Sequence, residues 1–335
     1  MKEIRIGVVG IGHLGSYHLQ KYAQIEGCRI VGVADEMPER AREAAERYGC
    51  KAFTNFSELA ESVDAVSVAV PTGAHYEVAS VFLKAGVDVL LEKPISVTLA
   101  EADALLSLAK AKDLILQIGL VERFNPAVVA LESVMSQPLF IESHRLHPFF
   151  ERGTDVDVIL DLMIHDLDLL LHFVHSAVEA VEAVGISVLS DKVDIANARL
   201  TFQNGCVANI TASRVSAKTL QKIRFFGPEG YHAVNYQKKE LVSLARKRGP
   251  DGQVAIVQNP VEIVMHDALE AEIRAFVRSV AERTEPAVSG QEGRDALALA
   301  LKINDAIDRS RARSSRDLPA PPSREPSPAG GRRSP

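Results

Sequence analysis

The 335-residue chain is predicted to form an α/β domain with a doubly wound parallel sheet, followed by an α+β domain with a mostly antiparallel open sheet. Three observations carry this expectation. A strand-like run from Ile4 to Val9 feeds a three-glycine turn, Gly10, Gly12 and Gly15. Up to residue 122, short Val/Ile-rich runs alternate with amphipathic helical stretches. Beyond about residue 136 the apolar period shortens to two, and turn signals separate the runs.

In the first domain, strands are expected at 4–9, 30–34, 65–70, 88–91 and 114–118, with helices at 13–26, 38–48, 57–61, 75–85 and 99–111. Several strands are apolar on both faces, as burial between two helix layers requires. In the second domain Ala196, Ala198, Leu200 and Phe202 alternate with Asn197, Arg199, Thr201 and Gln203. Asn204-Gly205 then turns the chain into a strand at 206–215, the strongest short-range hairpin signal. Gly227-Pro228-Glu229-Gly230 marks another turn, before strands at 231–236, 241–245 and 254–257. Helices at 267–282 and 290–311 close the structure, the latter packing back on the first domain. The domains are therefore bounded at 1–122 and 123–311, and 312–335, rich in Pro, Ser, Gly and Arg without apolar period, is expected to be a disordered tail.

Composition narrows the function classes. With 38 Lys and Arg against 44 Asp and Glu, the net charge of −6 offers no global field for nucleic acid or a membrane surface. Cys28, Cys50 and Cys206 form no Cys-x-x-Cys pair, so neither a disulfide framework nor a zinc site is suggested. The chain starts almost directly on a strand, leaving no room for a signal peptide, and no apolar run reaches membrane-spanning length. A cytoplasmic location is expected.

The glycine turn reads as a dinucleotide site. Gly10 permits the tight strand-to-helix turn, Gly12 lets a pyrophosphate approach bare backbone, and Gly15 lets the helix pack closely on the strand. His13 and Leu14 complete the turn, whose free N–H groups face the phosphates. A P-loop is excluded, because no Gly-Lys-Ser/Thr follows. Asp35 closes the next apolar run twenty residues after Gly15, where a carboxylate accepts the ribose hydroxyls and repels a 2′-phosphate. Glu36 adds a second negative charge, and Arg40 sits beyond Pro38 and Glu39, so NAD is expected rather than NADP. Pro71 and Thr72 wall the adenine or ribose, and His75 either joins them or simply starts the following helix.

Two segments carry candidate chemistry. Glu92-Lys93-Pro94 follows a strand at the ligand-binding end of the sheet, where Lys93 can hydrogen-bond a substrate hydroxyl and carry a proton; an ordinary surface lysine is the other reading. Between 157 and 172, Asp157, Asp161, His165, Asp168 and His172 fall on one helix stripe in an otherwise aliphatic segment. Asp161 and His165 lie one turn apart, so the carboxylate can orient the imidazole as a base. A wet surface stripe is one rival, and a divalent ion held by Asp161, His165 and Asp168 is another; no metal is expected. Arg123, Arg145 and Arg152 are candidates for a substrate phosphate or carboxylate, or for interdomain salt bridges.

Taken together, Gly10 to Gly15, Asp35, Glu92-Lys93-Pro94 and Asp161 with His165 resemble the Gfo/Idh/MocA oxidoreductase family, over nearly the whole chain to about residue 311. The resemblance implies a Rossmann domain, an open-faced sheet domain, a dimer or tetramer, and NAD(P) held while a sugar or cyclitol hydroxyl reacts. Carried onto this chain, it makes Lys93 the contact to that hydroxyl, His165 the acid/base and Asp161 a positioning group, with a cis bond before Pro94. Asp155-Val156-Asp157 departs from the Gly-Gly that often precedes the catalytic helix. The stretch from His144 to Asp166 is similar to the branch that oxidises nucleotide sugars such as UDP-N-acetylglucosamine at C3 in lipid A biosynthesis. That implies diphosphate contacts for the arginines and an aminotransferase downstream. An inositol-type polyol dehydrogenase and a non-catalytic dinucleotide sensor are the alternatives.

Overall fold

The structure, a computed structural model, describes residues 3–149, 156–250 and 252–317. Its first half contains β1 (Ile4–Val9), α1 (His13–Tyr22), β2 (Cys28–Ala34), α2 (Pro38–Tyr48), β3 (Lys51–Phe53), α3 (Phe56–Leu59), β4 (Ala65–Val68), α4 (His75–Ala85), β5 (Asp88–Glu92), α5 (Leu99–Ala111) and β6 (Leu116–Gly119). All six strands are parallel in the order β3-β2-β1-β4-β5-β6. This is the doubly wound architecture expected, with its switch point between β1 and β4. β3 escaped the sequence reading because three residues, the first two exposed and only Phe53 half-buried, carry no period. α1 stops at Tyr22, short of residue 26, because the chain turns through Gly27 at positive φ into β2.

The second half contains α6 (Pro126–Glu132), β7 (Phe140–Leu146), α7 (Ile164–Val174), β8 (Val178–Ile186), β9 (Ile195–Phe202), β10 (Val207–Ser213), β11 (Leu220–Gly227), β12 (Gly230–Asn235), β13 (Glu240–Arg248), β14 (Val254–Gln258), α8 (Ala268–Glu282) and α9 (Gly290–Asp317). Eight strands form one sheet in the order β14-β13-β12-β11-β7-β10-β9-β8, antiparallel except for β7 beside β10. The expected hairpin joins β9 to β10 through Asn204-Gly205, where Gly205 has φ +84° and the Asn204 side chain accepts from the Cys206 N–H.

The last segment belongs to both domains. α8 does not join the second domain; it packs on α1, where Ile273, Phe276 and Val280 complete the core on one side of the parallel sheet with Ile6, Leu19, Tyr22 and Val33. The segment after it pairs with the edge strand β6, with the Ile118 N–H donating to Val288 O at 3.1 Å. α9 then crosses from α5 to α7 and β8. The larger core runs without a break from Val68, Phe82 and Leu91 on the other side of that sheet to Leu167, Ile210 and Phe225 under the second sheet. α9 extends to Asp317, so 312–317 are helical rather than tail. The rest of the expected tail, 318–335, lies outside the described residues. Among the described residues no helix is long and apolar enough to cross a membrane.

Candidate active site

A cleft of about 1330 Å³ opens at the carboxyl ends of β1, β2, β4 and β5 and extends to His147, Val156, Asp161 and Leu162 of the second domain. Gly10, Gly12, His13, Leu14, Asp35, Pro71, Thr72, His75, Glu92 and Lys93 line it, and Gly15 lies beneath the turn. Gly10 has φ +85°, and a Cβ there would sit 2.5 Å from Ala69 O; at Gly15 it would sit 1.8 Å from Gly10 O. At Gly12 a Cβ would meet nothing within 4 Å, so that glycine leaves open space rather than fitting a neighbour. α1 begins at Gly12 with no side-chain cap and no acid in its first turn, leaving N–H groups for an anion. A dinucleotide fits these residues.

Asp35 does more than line the cleft. Oδ2 accepts the Ile11 N–H at 2.6 Å and Oδ1 accepts the Met37 N–H at 2.8 Å, so the carboxylate braces the glycine turn from β2. Arg40 also reaches the cleft, although the sequence reading set it aside. His75 spans two backbone carbonyls, with Nδ1 2.7 Å from Pro94 O and Nε2 2.9 Å from Val70 O. Burial pushes its imidazole below the ordinary range, so the neutral ring, set between two cleft turns, donates its one N–H to one of the two carbonyls. Glu92 lines the cleft, but its carboxylate turns inward to His18 Nε2 at 3.0 Å.

Lys93 is where the two domains meet chemically. The Lys93–Pro94 peptide is cis. Its Nζ donates to Asp161 O at 2.6 Å and to Asp161 Oδ1 at 3.1 Å across the cleft. Asp161 sits in a π-helical turn, Ile159–Met163, that precedes α7. Such turns recur at functional sites because the extra residue re-aims one side chain out of the helical ladder. The Asp161 carboxylate thus engages Lys93, and the expected Asp161–His165 hydrogen bond is not formed. His165 is half-buried behind Lys93 rather than lining the cleft, and its Nδ1 has no partner among the described residues. Burial, then the charges of Lys93 and Arg145, hold its imidazole well below the ordinary range. A neutral imidazole with a spare acceptor is a competent proton acceptor.

The rest of the polar stripe does not converge on the cleft. Asp157 caps the π turn, its Oδ1 accepting the Ile159 and Leu160 N–H groups and its Oδ2 the Asn304 amide. Asp168 turns to Arg123, which donates to it at 2.9 Å; burial still pushes the Asp168 carboxyl up to about 6. A metal held by Asp161, His165 and Asp168 is therefore not supported, because Asp161 turns to Lys93 and Asp168 to Arg123 rather than to a common point with His165.

The candidate arginines are corrected on the same ground. Arg123 is buried and saturated by Asp168, His172 and Glu292, the interdomain alternative. Arg145 is 3% exposed, donates to Asp166 at 2.7 Å and to Glu122 at 2.9 Å, and lies over the Tyr236 ring. Neither guanidinium lines the cleft or retains a free edge for a diphosphate. Arg152 lies outside the described residues. What the sequence reading missed is the support. Arg214 donates to Val156 O at 3.0 Å and to Asp194 at 2.9 Å, pinning the short segment that leads into the π turn. Its only sequence signal is a lone arginine directly after an apolar strand.

Comparison with known proteins agrees with this geometry. The oxidoreductase family with an NAD-binding Rossmann fold matches residues 4–120, and the GFO/IDH/MocA C-terminal domain matches residues 127–232. The UDP-N-acetylglucosamine 3-dehydrogenase of Acidithiobacillus ferrooxidans is 40% identical over 92% of this chain and 98% of its own. Its solved structure superposes with a TM-score of 0.85, covering 92% of this chain and 99% of that one. The myo-inositol 2-dehydrogenase of Thermotoga maritima is 30% identical, again over 92% of this chain and 98% of its own. A levoglucosan dehydrogenase structure, at 19% identity and a TM-score of 0.82, shares the fold. The chain belongs to the Gfo/Idh/MocA family of oxidoreductases, and it is a dehydrogenase.

Proposed function

We propose that this protein is an NAD-dependent dehydrogenase that oxidises the C3 hydroxyl of a nucleotide sugar of the UDP-N-acetylglucosamine type. The observation that carries the chemistry is the Lys93 ammonium held by Asp161 across a cleft that also contains the glycine turn and Asp35. Gly10, Gly12, Leu14 and Asp35 would hold NAD, which when bound accepts a hydride. A sensor needs the glycines but not Lys93, Asp161 and His165, so their assembly favours catalysis. Asp35 is fixed at the ribose end by two backbone N–H groups, which favours NAD over NADP despite Arg40 nearby.

In the forward direction the sugar hydroxyl hydrogen-bonds Lys93 at the cleft floor. Asp161 fixes the direction of the ammonium through its carbonyl and carboxylate oxygens. Neutral His165, whose imidazole feels the Lys93 charge, is the final base in this scheme: Lys93 gives one of its ammonium protons to His165 as it takes up the proton that the hydroxyl releases. Val156 and Leu162 give the cleft an apolar wall on the side of the second domain.

The substrate class rests on the 40% relative, and the 30% relative supports the second reading, a free polyol of the inositol type. A nucleotide-sugar oxidation is cytoplasmic chemistry, and its 3-keto product is the substrate form for an aminotransferase. The test is NADH formation with UDP-N-acetylglucosamine, other nucleotide sugars and inositols as substrates, each with NAD and with NADP. Turnover restricted to inositols would replace the first reading with the second. No turnover on any of them would remove both.

A further inference from the structure

Behind the cleft, in the interior of the nucleotide-binding domain, three segments distant in sequence bring together acceptors without donors to match. His18 lies on the inward side of α1, Glu92 ends β5, and Glu272 lies on the inward side of α8; all three are buried. One imidazole nitrogen and one oxygen from each carboxylate lie within 4.8 Å of one another. His18 is already oriented: its Nδ1 is 3.0 Å from Ser67 Oγ, which is 2.8 Å from the Tyr22 hydroxyl, so Nε2 points to the carboxylates.

The independent sign of a missing occupant is Glu272. It is 0% exposed, and neither of its carboxylate oxygens has a partner among the described residues. Next to it, Gln117 donates its amide to Glu272 O at 3.1 Å and leaves its own Oε1 without a partner. Every orphaned atom here is an acceptor. A buried carboxylate in that state is strongly unfavourable. A proton on Glu272 would remove only one of the two charges and could serve only one of the orphaned acceptors. A cation balances both carboxylates at once.

We propose that His18, Glu92 and Glu272 form a binding site for one divalent transition-metal ion of the zinc or manganese class. One imidazole and two carboxylates are a donor set suited to such ions. Ligand bonds of about 2.0–2.2 Å place neighbouring donor atoms roughly 3–3.5 Å apart. His18 and Glu92 already have that spacing, at 3.0 Å, and a side-chain adjustment brings Glu272 in. The ion links α1, β5 and α8 directly behind the Lys93 turn. Its role is structural, because all three ligands are buried and the Glu92 carboxylate turns inward from the cleft to His18.

The whole chain is stripped with a chelator, loaded with Zn²⁺ or Mn²⁺ alone, desalted and assayed for bound metal. The expected result is one equivalent per chain, a melting temperature several degrees above the stripped protein, and loss of both effects in Glu272→Gln. X-ray absorption at the zinc edge of the loaded wild type, which does not depend on the variant folding, should show imidazole and carboxylate ligands. The proposal is overturned by wild type that retains no metal and melts unchanged, by equal retention in Glu272→Gln, or by a sulfur shell from the cysteines. Greater stability of metal-free Glu272→Gln with no metal in the wild type would assign a proton to the pair instead.

Discussion

Lys93, Asp161 and His165 come from two domains, and in the proposed mechanism each performs a different part of one proton transfer. Lys93→Met and His165→Asn should each lower kcat by about 10²–10⁴-fold while NAD affinity, read by titration of NADH fluorescence, changes little. Asp161→Asn should cost less, because the backbone carbonyl at 2.6 Å still holds Nζ. The depressed imidazole of His165 sets a sign for pH. A base whose folded pKa lies below its ordinary value near 6.5 stays neutral as the solution acidifies, so the acid limb of kcat/KM should fall below about pH 6.5. For stability the same shift acts the other way. The unfolded histidine takes a proton near 6.5 and the folded one resists, so its contribution is complete above that pH and is lost as the pH falls through and below it. Thermal melts of wild type and His165→Asn at pH 7.5 and 5.5 should converge at the lower pH, and a gap that widens on acidification would contradict the assignment.

At the level of elements, the glycine turn separates folding from binding. Gly15→Ala puts a methyl 1.8 Å from Gly10 O, so α1 must shift off β1 and both melting temperature and NAD binding should drop. Gly12→Ala meets open space in the free protein and has an unstrained φ of −78°, so the melting temperature should hold. NAD affinity should nevertheless fall by at least about tenfold, roughly 1.4 kcal/mol, because the methyl occupies the pyrophosphate approach. The glycines were legible because their roles are backbone roles, set by three residues and the strand before them. The π turn was not. Its five-residue winding leaves the aliphatic pattern of 158–164 nearly unchanged, while deciding that Asp161 meets Lys93 and not His165.

Across the whole molecule, α8 and α9 make the domain boundary at residue 122 a feature of connectivity and not of packing. The core under the second sheet is continuous with one side of the parallel sheet, and the chain's return covers β6 and α1. Calorimetry should therefore show a single unfolding transition, shifted upward by NAD through mass action; two resolved transitions would show that the domains are energetically separate. Arg145, Asp166, Glu122 and Tyr236 form the buried polar centre beneath α7. Arg145→Met should cost about 3–5 kcal/mol, read by denaturant unfolding, because it strands the fully buried Asp166 carboxylate.

Local grammar carried the parallel sheet, the glycine turn and the Asn-Gly hairpin, and it singled out Lys93, Asp161 and His165 as candidates, since each depends on spacing within a few residues. Partnership between distant residues did not follow from it. Guanidinium and carboxylate groups read alike whether they wait for a substrate or are already paired, and only the three-dimensional arrangement consumed Arg123 and Arg145 within the protein. The same arrangement gathered His18, Glu92 and Glu272, separated by 74 residues in one case and by far more in the other, because α1, β5 and α8 share one core that no local pattern records.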